Sequence, residues 1–458
     1  MMPLWTSAEI AKATGGEASA AFDVAGVAFD SREIGLGDLF VALKGEHADG
    51  HDFVEKAFAS GAAGAIVSTP IDHPHVLVSD TMLALEDLAR ASRQRSPAKI
   101  VGVTGSVGKT GTKEALFAAL DRANPGKVHR SVKSYNNHVG VPLSLARMPR
   151  DAAFGVFEMG MNHSGELSAL TRFVRPHVAV VTAIAPAHIE FFGSEAAIAE
   201  AKAEIFEGLE PRGVAIIPFD SPHLSALRMR AARYTGRIMT FGVGKGADVR
   251  AVETVPAGSG GTLITARFPE AELCCTIAPP GEHWVSNALA VLGTVEALGG
   301  DLAAAGLALA EMAGLPGRGA RAIVPIAGGE ALLIDESYNA NPLSMAATLS
   351  QLGKEHAQRR VAVLGAMKEL GTRSAELHAR LAESMAGKVD YAILVGPEMA
   401  PLAQALNKDI SHAHVVDAKA ATDLLEAEMR AGDAILVKGS NSIGLSRLVA
   451  AMTGGVKD

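Results

Sequence analysis

Only two cysteines occur in 458 residues, and they are neighbours, Cys274 and Cys275. Successive side chains of a strand point to opposite faces, so this pair excludes a disulfide framework and reads as two buried structural thiols. Long apolar runs are missing as well. The most apolar stretch, 288–314, is broken by Glu296, by the turn Gly299-Gly300-Asp301 and by Glu311, so nothing reaches the roughly 18–20 residues of a bilayer span and no membrane insertion is expected. The start, MMPLWTSAEIAK, lacks a basic segment followed by an apolar core and a small-residue cleavage site, so no secretory signal is read and the expected location is the cytoplasm. There is no block of lysine and arginine. With 42 basic against 50 acidic residues the net charge is −8, which argues against a nucleic-acid partner.

What is present is a large, ordinary globular composition, 48% hydrophobic and 20% charged, too apolar for disorder. A length of 458 residues implies two to four domains at roughly 100–200 residues each. A helical pattern over 82–95 stops at Ser96-Pro97 and the apolar run KIVGVTG begins at Lys99, so a domain starts there. A Gly/Pro-rich stretch, AGLPGRG at 313–319, follows an alanine-rich helix and reads as a hinge. The expected divisions are therefore 1–97, 98–315 and 316–458. In the central part KIVGVTG, FGVFEMG (154–160), VAVVTAI (178–184) and GVAIIPF (213–219) alternate with helical sequence, as continuously apolar strands of a covered parallel sheet do. Short alternating runs over 242–280 read as an antiparallel appendage. After the hinge, ALLIDES (331–337), RVAVLG (360–365), YAILVG (391–396) and AILVKG (434–439) repeat the parallel α/β rhythm. The fold class is α/β throughout.

The segment KIVGVTGSVGKTGTKEALFAAL, 99–120, sets a buried strand, a glycine turn and an amphipathic helix in succession, the context of a phosphate loop. Gly105, Ser106, Val107, Gly108 and Gly111 bring backbone amides to phosphate oxygens, Lys109 supplies a positive charge, and the Thr110 hydroxyl can ligate Mg²⁺. One irregularity stands out: the full pattern wants a glycine at position 103, where Val103 stands. If ATP binds here, metal ligands belong at the carboxyl ends of neighbouring parallel strands. Glu158 ends one strand and His188 follows another by a short loop. Taken singly, a strand-end glutamate is often a solvated cap and a lone histidine a surface or satisfied core residue. Lys202 lies on or beside the apolar stripe of Ile198, Ile205, Phe206 and Leu209, where composition alone favours a lysine reaching out to solvent.

These residues, together with DSREIGLGDLFVALKGEHADGHDF (30–53), NNHVGVP (136–142), EMGMNHSGE (158–166), AHIEFFGS (187–194), AKAEIF (201–206), GEHWVSNALA (281–290), PGR (316–318), DESYNANP (335–342), LGAMKELG (364–371) and KGS (438–440), resemble the Mur ligase family from end to end. The resemblance implies three domains: a small UDP-sugar-binding domain, a central phosphate-loop ATPase-type domain and a C-terminal Rossmann-like domain. It implies an ATP- and Mg²⁺-dependent ligase of peptidoglycan precursor synthesis, acting as a monomer, with UDP-N-acetylmuramoyl-tripeptide and D-alanyl-D-alanine as its partners. By the same resemblance Thr110, Glu158 and His188 work around two magnesium ions, and Lys202 matches a lysine carried as a carbamate, an anion suited to Mg²⁺. His283 and Asn287 face nucleotide, Arg318 reaches the phosphates, and Asp335, Tyr338 and Asn339 line the ribose and base region. Ser31, Arg32, Asn136 and Asn137 hold the UDP-sugar portion.

Two departures from the family pattern are visible. Pro218 stands where many relatives carry asparagine, and KGSNSIGL places Asn441 where an arginine is more usual. The rival enzyme is a sister ligase adding a single amino acid, but the Asp-Asn-Pro-Arg signature of the diaminopimelate-adding type is absent after Leu364. Folylpolyglutamate synthases share the chemistry without the segment 30–53. A nucleotide-switched scaffold would need no set of Glu158, His188 and Lys202.

Overall fold

The computed structural model describes residues 2–45, 48–186, 189–257, 261–406 and 410–454. Its organising elements are three sheets in chain order. In the first, five short strands stand in the order Glu17–Ala18, His75–Leu77, Gly64–Val67, Asp38–Val41, Gly26–Ala28, parallel except at the Glu17–Ala18 edge. The helix Thr81–Arg95 covers this sheet and ends at Ser96, the residue before Pro97, which is extended with φ −88° and ψ 131°. A residue preceding proline is pushed out of the helical region, so this boundary was legible in the sequence.

The central sheet has nine strands among the described residues. Val128–Arg130, Phe154–Glu158, Lys99–Thr104, Val178–Val181, Val214–Pro218, Arg237–Gly242 and Val249–Pro256 run parallel, and Thr262–Arg267 and Glu272–Ile277 follow antiparallel. The run expected as an antiparallel appendage is thus continuous with the parallel sheet, because Val249 and Arg250 pair with Phe241 and Gly242. Both faces are covered, one by the helices Lys109–Ala123, Glu282–Ala297 and Leu302–Ala310, the other by Gly140–Ala146, Glu166–Val174 and Glu195–Ala203. The apolar stretch around 288–314 is two of these helices, the second capped by Asp301, whose carboxylate accepts from the Ala304 amide. Among the described residues no helix is long and apolar enough to cross a membrane. At the sheet edge Cys275 is buried and its thiol is pushed up to about 11 by burial, but Cys274 is exposed. Only one of the two is a core thiol, since an edge strand buries a single face.

The third sheet has the order Ala320–Ile326, Gly329–Glu336, Asp433–Lys438, Arg359–Gly365, Tyr391–Val395, Ser411–Val415, parallel after the initial hairpin. The four strands read from sequence are all there. Between the second and third sheets the chain passes through 313–319, where Gly317 (φ +71°) and Gly319 (φ +91°) adopt left-handed backbone. A Cβ at Gly317 would lie 2.8 Å from the Tyr338 Cβ, so glycine is needed there on two counts.

Candidate functional site

The phosphate loop lies between the strand Lys99–Thr104 and the helix Lys109–Ala123. Val103, in place of the expected glycine, is wholly buried in the strand and paired with Glu158 and Val180. The strand simply runs further before turning. Gly105 makes the turn with φ +152°, and a Cβ there would sit 1.9 Å from Thr182 Oγ1. Thr182 Oγ1 in turn donates to the Val107 carbonyl at 2.5 Å, and Ser106 is held by its amide on Ala183 O and its hydroxyl on Ala185 O. Gly108 has φ +89°, and a Cβ on it would come within 2.6 Å of Asn287 Oδ1, so the Asn287 carboxamide packs against the loop. Gly111 lets the helix approach the Trp284 ring, 3.0 Å from where a Cβ would be.

At the head of the helix Lys109 Nζ donates to Gly105 O at 2.7 Å, and Thr110 Oγ1 donates to Glu158 Oε2 at 2.8 Å. Glu158 is 1% exposed, which removes the solvated-cap alternative. Its other oxygen accepts from Asn136 Nδ2 at 2.7 Å and its amide donates to Ser131 Oγ at 3.2 Å. Lys202, on the helix Glu195–Ala203, is also 1% exposed, so it does not reach solvent. Burial, together with the charge of Lys109, pushes its pKa well below the ordinary lysine value. Lys109 is shifted down too, first by burial and then by Arg318, against the pull of Glu158. His188 lies outside the described residues. The Thr110 hydroxyl and the Glu158 carboxylate are hard oxygen donors held together, a pair that suits Mg²⁺ better than a softer ion.

The third part of the chain reaches this site through Arg318, whose guanidinium stacks 4.0 Å from the Tyr338 ring and lies 3.5 Å from Ser134 Oγ. Thr110, Glu114, Lys133, Ser134, Tyr135, Leu315, Pro316, Arg318 and Tyr338 line one cavity of about 550 Å³. Asp335, expected at the ribose, stands beside the hinge. Its carboxylate is occupied by the amides of Gly317 (2.6 Å) and Ser337 (3.0 Å) and by the Ser337 hydroxyl (2.6 Å), so it braces the hinge. Asn339 Oδ1 accepts from the Ala340 amide, and its carbonyl accepts from the buried Lys438, which also pairs with Glu336. His283 feels the opposed charges of Glu336 and Lys438, and burial lowers its pKa.

The four residues assigned to the UDP-sugar stand in different local settings. Ser31 is buried, and Arg32 projects outward, clamped on Asp30, whose carboxyl falls to about 2. Asn136 instead belongs to the Glu158 cluster. Asn137 caps the helix Gly140–Ala146 through Oδ1 on the Val139 and Gly140 amides. Sequence reading missed Glu33, which receives Lys133 Nζ and the Tyr135 hydroxyl at 2.7 Å and so ties the first part of the chain to the central one. It also missed Lys113, although that residue stands three and seven positions before the buried Leu116 and Leu120, on the apolar stripe.

The fold and site define a three-domain α/β protein built around a phosphate loop. The chain belongs to the Mur ligase family: the models of its catalytic domain, middle domain and glutamate ligase domain match residues 23–93, 103–295 and 323–441. Over 430 residues it is 36% identical to UDP-N-acetylmuramoyl-tripeptide–D-alanyl-D-alanine ligase of Escherichia coli, covering 93% of each chain. Among solved structures it is similar to MurF of Acinetobacter baumannii, with a TM-score of 0.84 and 31% identity over 98% of this chain and 99% of that one. MurF ligase of Thermotoga maritima in complex with ADP matches with a TM-score of 0.77 and 29% identity, over 94% of this chain and 97% of that one.

Proposed function

We propose that the protein is an ATP-dependent ligase of peptidoglycan precursor synthesis that joins D-alanyl-D-alanine to UDP-N-acetylmuramoyl-tripeptide, working as a cytoplasmic monomer. The observation that carries this reading is the shared cavity. Thr110 of the phosphate loop, Tyr135, whose hydroxyl donates to Glu33, and Arg318 of the hinge face the same space. A cavity lined by the central and third parts of the chain, and tied to the first through Glu33 on Lys133 and Tyr135, suits a reaction that joins several substrates. In this division residues 1–97 select the UDP-sugar, with Ser31, Arg32 and Glu33 on that side. Residues 98–315 hold ATP through 105–111, His283 and Asn287, and residues 316–458 bring Arg318, Tyr338, Asn339 and the dipeptide.

The carboxylate of the tripeptide attacks the γ-phosphate of ATP, giving an acyl phosphate and ADP, and the dipeptide amine then displaces phosphate. Bringing a carboxylate to about 3.5 Å from a phosphoryl oxygen costs roughly 4–5 kcal/mol per pair of unit charges at an effective dielectric of 20. Uncorrected, that repulsion slows the step by roughly a thousandfold or more. Lys109 and Arg318 offset it, and Asn287 and the loop amides other than that of Ser106, which is used on Ala183 O, hold the phosphates in line. Thr110, Glu158, His188 and a carbamylated Lys202 would hold Mg²⁺, which supplies charge neutralisation on the phosphates. A neutral Lys202 amine is the form that takes up carbon dioxide, and its burial beside Lys109 supports that state. Asn136, fixed on Glu158 Oε1, leaves the other carboxylate oxygen directed at Thr110.

The deciding experiment is a substrate panel. Purified protein receives ATP with UDP-linked muramoyl tripeptides bearing either diaminopimelate or lysine, and with D-alanyl-D-alanine or single amino acids. A product whose mass equals tripeptide plus dipeptide minus water, formed with stoichiometric ADP, is expected. Products carrying one amino acid would turn the assignment to a sister ligase, and ADP release independent of the acceptors would remove it.

A further inference from the structure

The helix that begins with Lys109 and Thr110 carries, one turn further on, a lysine with no solvent exposure at all. Lys113 Nζ donates to the carbonyls of Ser131 (2.9 Å) and Lys133 (2.7 Å) and pairs with Glu114 at 2.9 Å. Glu114 is itself held by Arg130 Nε at 2.8 Å, and the Arg130 guanidinium lies 3.6 Å from the centre of the Phe117 ring. A buried ammonium is tolerated only when its donors are used, and here two go to one short stretch of backbone and the third faces Glu114.

That stretch, 131–136, touches every part of the molecule. Ser131 Oγ takes the Glu158 amide, and Asn136 Nδ2 holds Glu158 Oε1. Lys133 and Tyr135 reach Glu33 of the first part of the chain, and Ser134 meets Arg318 of the third. Lys133 adopts φ +51°, a left-handed conformation that a non-glycine residue keeps only when its surroundings impose it. The carbonyl of that residue is the one closest to Lys113 Nζ.

We propose that Lys113 is a positioning residue for the ligase reaction. Its ammonium fixes the 131–136 segment so that one loop orients Glu158 and seats the first domain against the ATP site. The two effects are coupled because both depend on the same pair of carbonyls. The inference rests on the ligase reading above, and it predicts a signature that loss of stability does not produce.

In Lys113→Met, a side chain of similar length without donors, the Mg²⁺ concentration for half-maximal activity and the KM for the UDP-tripeptide should both rise. About tenfold is expected for each, the lower end of the loss when an outer-shell partner of a metal ligand is removed. Asn136→Ala should raise the Mg²⁺ requirement alone, and Tyr135→Phe the UDP-tripeptide KM alone. Leu120→Ala, a core change on the same helix, should lower the melting temperature and move neither quantity. If Lys113→Met does not fold, Lys113→Gln, with a shorter neutral donor, should show the same paired shift in smaller size. Normal Mg²⁺ dependence and normal KM in either folded variant would overturn the proposal, as would a shift in one quantity only. Wild-type turnover is measured first. Should it fail to require both acceptors, the ligase reading falls, and the role of Lys113 is then read by hydrogen exchange of the 131–137 amides, which must accelerate in the variant for the proposal to stand.

Discussion

Two lysines within reach of one phosphate loop have opposite tasks, and their surroundings show why. Lys109 sits beside Glu158, which favours its charge, and donates to Gly105 O. Lys109→Ala should leave the fold intact and lower ATP turnover more than tenfold, a loss above about 1.4 kcal/mol. Retained turnover in a coupled ADP assay would remove the phosphate clamp. Among the described residues Lys202 has no such favourable neighbour, only burial and the Lys109 charge, and its pKa is pushed well below the ordinary 10.5. The folded state therefore binds fewer protons at this site than the unfolded chain, so burying the amine costs stability below pH 10.5, and the cost shrinks as pH rises toward that value. In protein stripped of bicarbonate and metal, where Lys202 is the free amine, Lys202→Met should melt higher than wild type at neutral pH, with the gap narrowing on the alkaline side, and in full buffer it should be inactive. Lys202→Arg keeps the charge but cannot form a carbamate, and should be equally inactive. Wild-type activity should fall when bicarbonate is stripped or the pH is lowered, and recover on restoration. A fully active arginine variant would defeat the carbamate.

At the scale of single elements, two turns decide whether the site exists. Gly105→Ala places a methyl 1.9 Å from Thr182 Oγ1 at φ +152°, so either the loop or the Thr182 contact to Val107 O must give way. The strain of such a backbone is of order 1–3 kcal/mol, and the expected result is near-complete loss of nucleotide binding by calorimetry. Gly111→Ala, where the added methyl meets the Trp284 ring at 3.0 Å, should be far milder, because alanine favours a helix by about 1 kcal/mol over glycine. Beyond the hinge, Asp335→Asn keeps the shape but weakens charge-assisted bonds to Gly317 and Ser337. Charged hydrogen bonds contribute about 1.5–3 kcal/mol each. The variant should show faster proteolysis at 311–319 and a lower kcat with ATP binding unchanged. Unchanged cleavage would mean that the hinge is braced elsewhere.

For the whole molecule, the first and central parts share apolar core, since Leu143 and Ala146 of the helix Gly140–Ala146 pack into the first sheet's cluster and Ala89 into the central one, whereas the clusters of the third sheet stand apart and Arg318 meets Ser134 through a polar contact. Unfolding should not be two-state. Scanning calorimetry should give a measured enthalpy larger than the van't Hoff value. Saturation with a non-hydrolysable ATP analogue and UDP-tripeptide together should merge the transitions, since each ligand at 100 times its Kd contributes about 2.7 kcal/mol to whatever it bridges. A single transition without ligands would show that the three parts already behave as one unit.

Much of this was legible in the amino-acid sequence because it depends on local rules. Strand runs such as KIVGVTG and YAILVG are apolar without alternation, which only a doubly covered sheet explains, and Gly-Lys-Thr between strand and helix determines a phosphate loop by its own backbone geometry. The Ser96-Pro97 stop and the glycines of 313–319 act through φ and ψ alone. Tertiary structure decided what lies between distant segments. Asn136 turned toward Glu158 while its neighbour Asn137 became a helix cap, since two adjacent residues on a turn point in different directions. Asp335 was spent on the hinge amides that the fold brought beside it, and the antiparallel strands joined the central sheet because its edge at Arg237–Gly242 was open to them. Helical spacing put Lys113 and Lys202 on or beside apolar stripes, but their burial was decided by the sheet and helices stacked over them, since a lysine on such a stripe can also reach out to solvent.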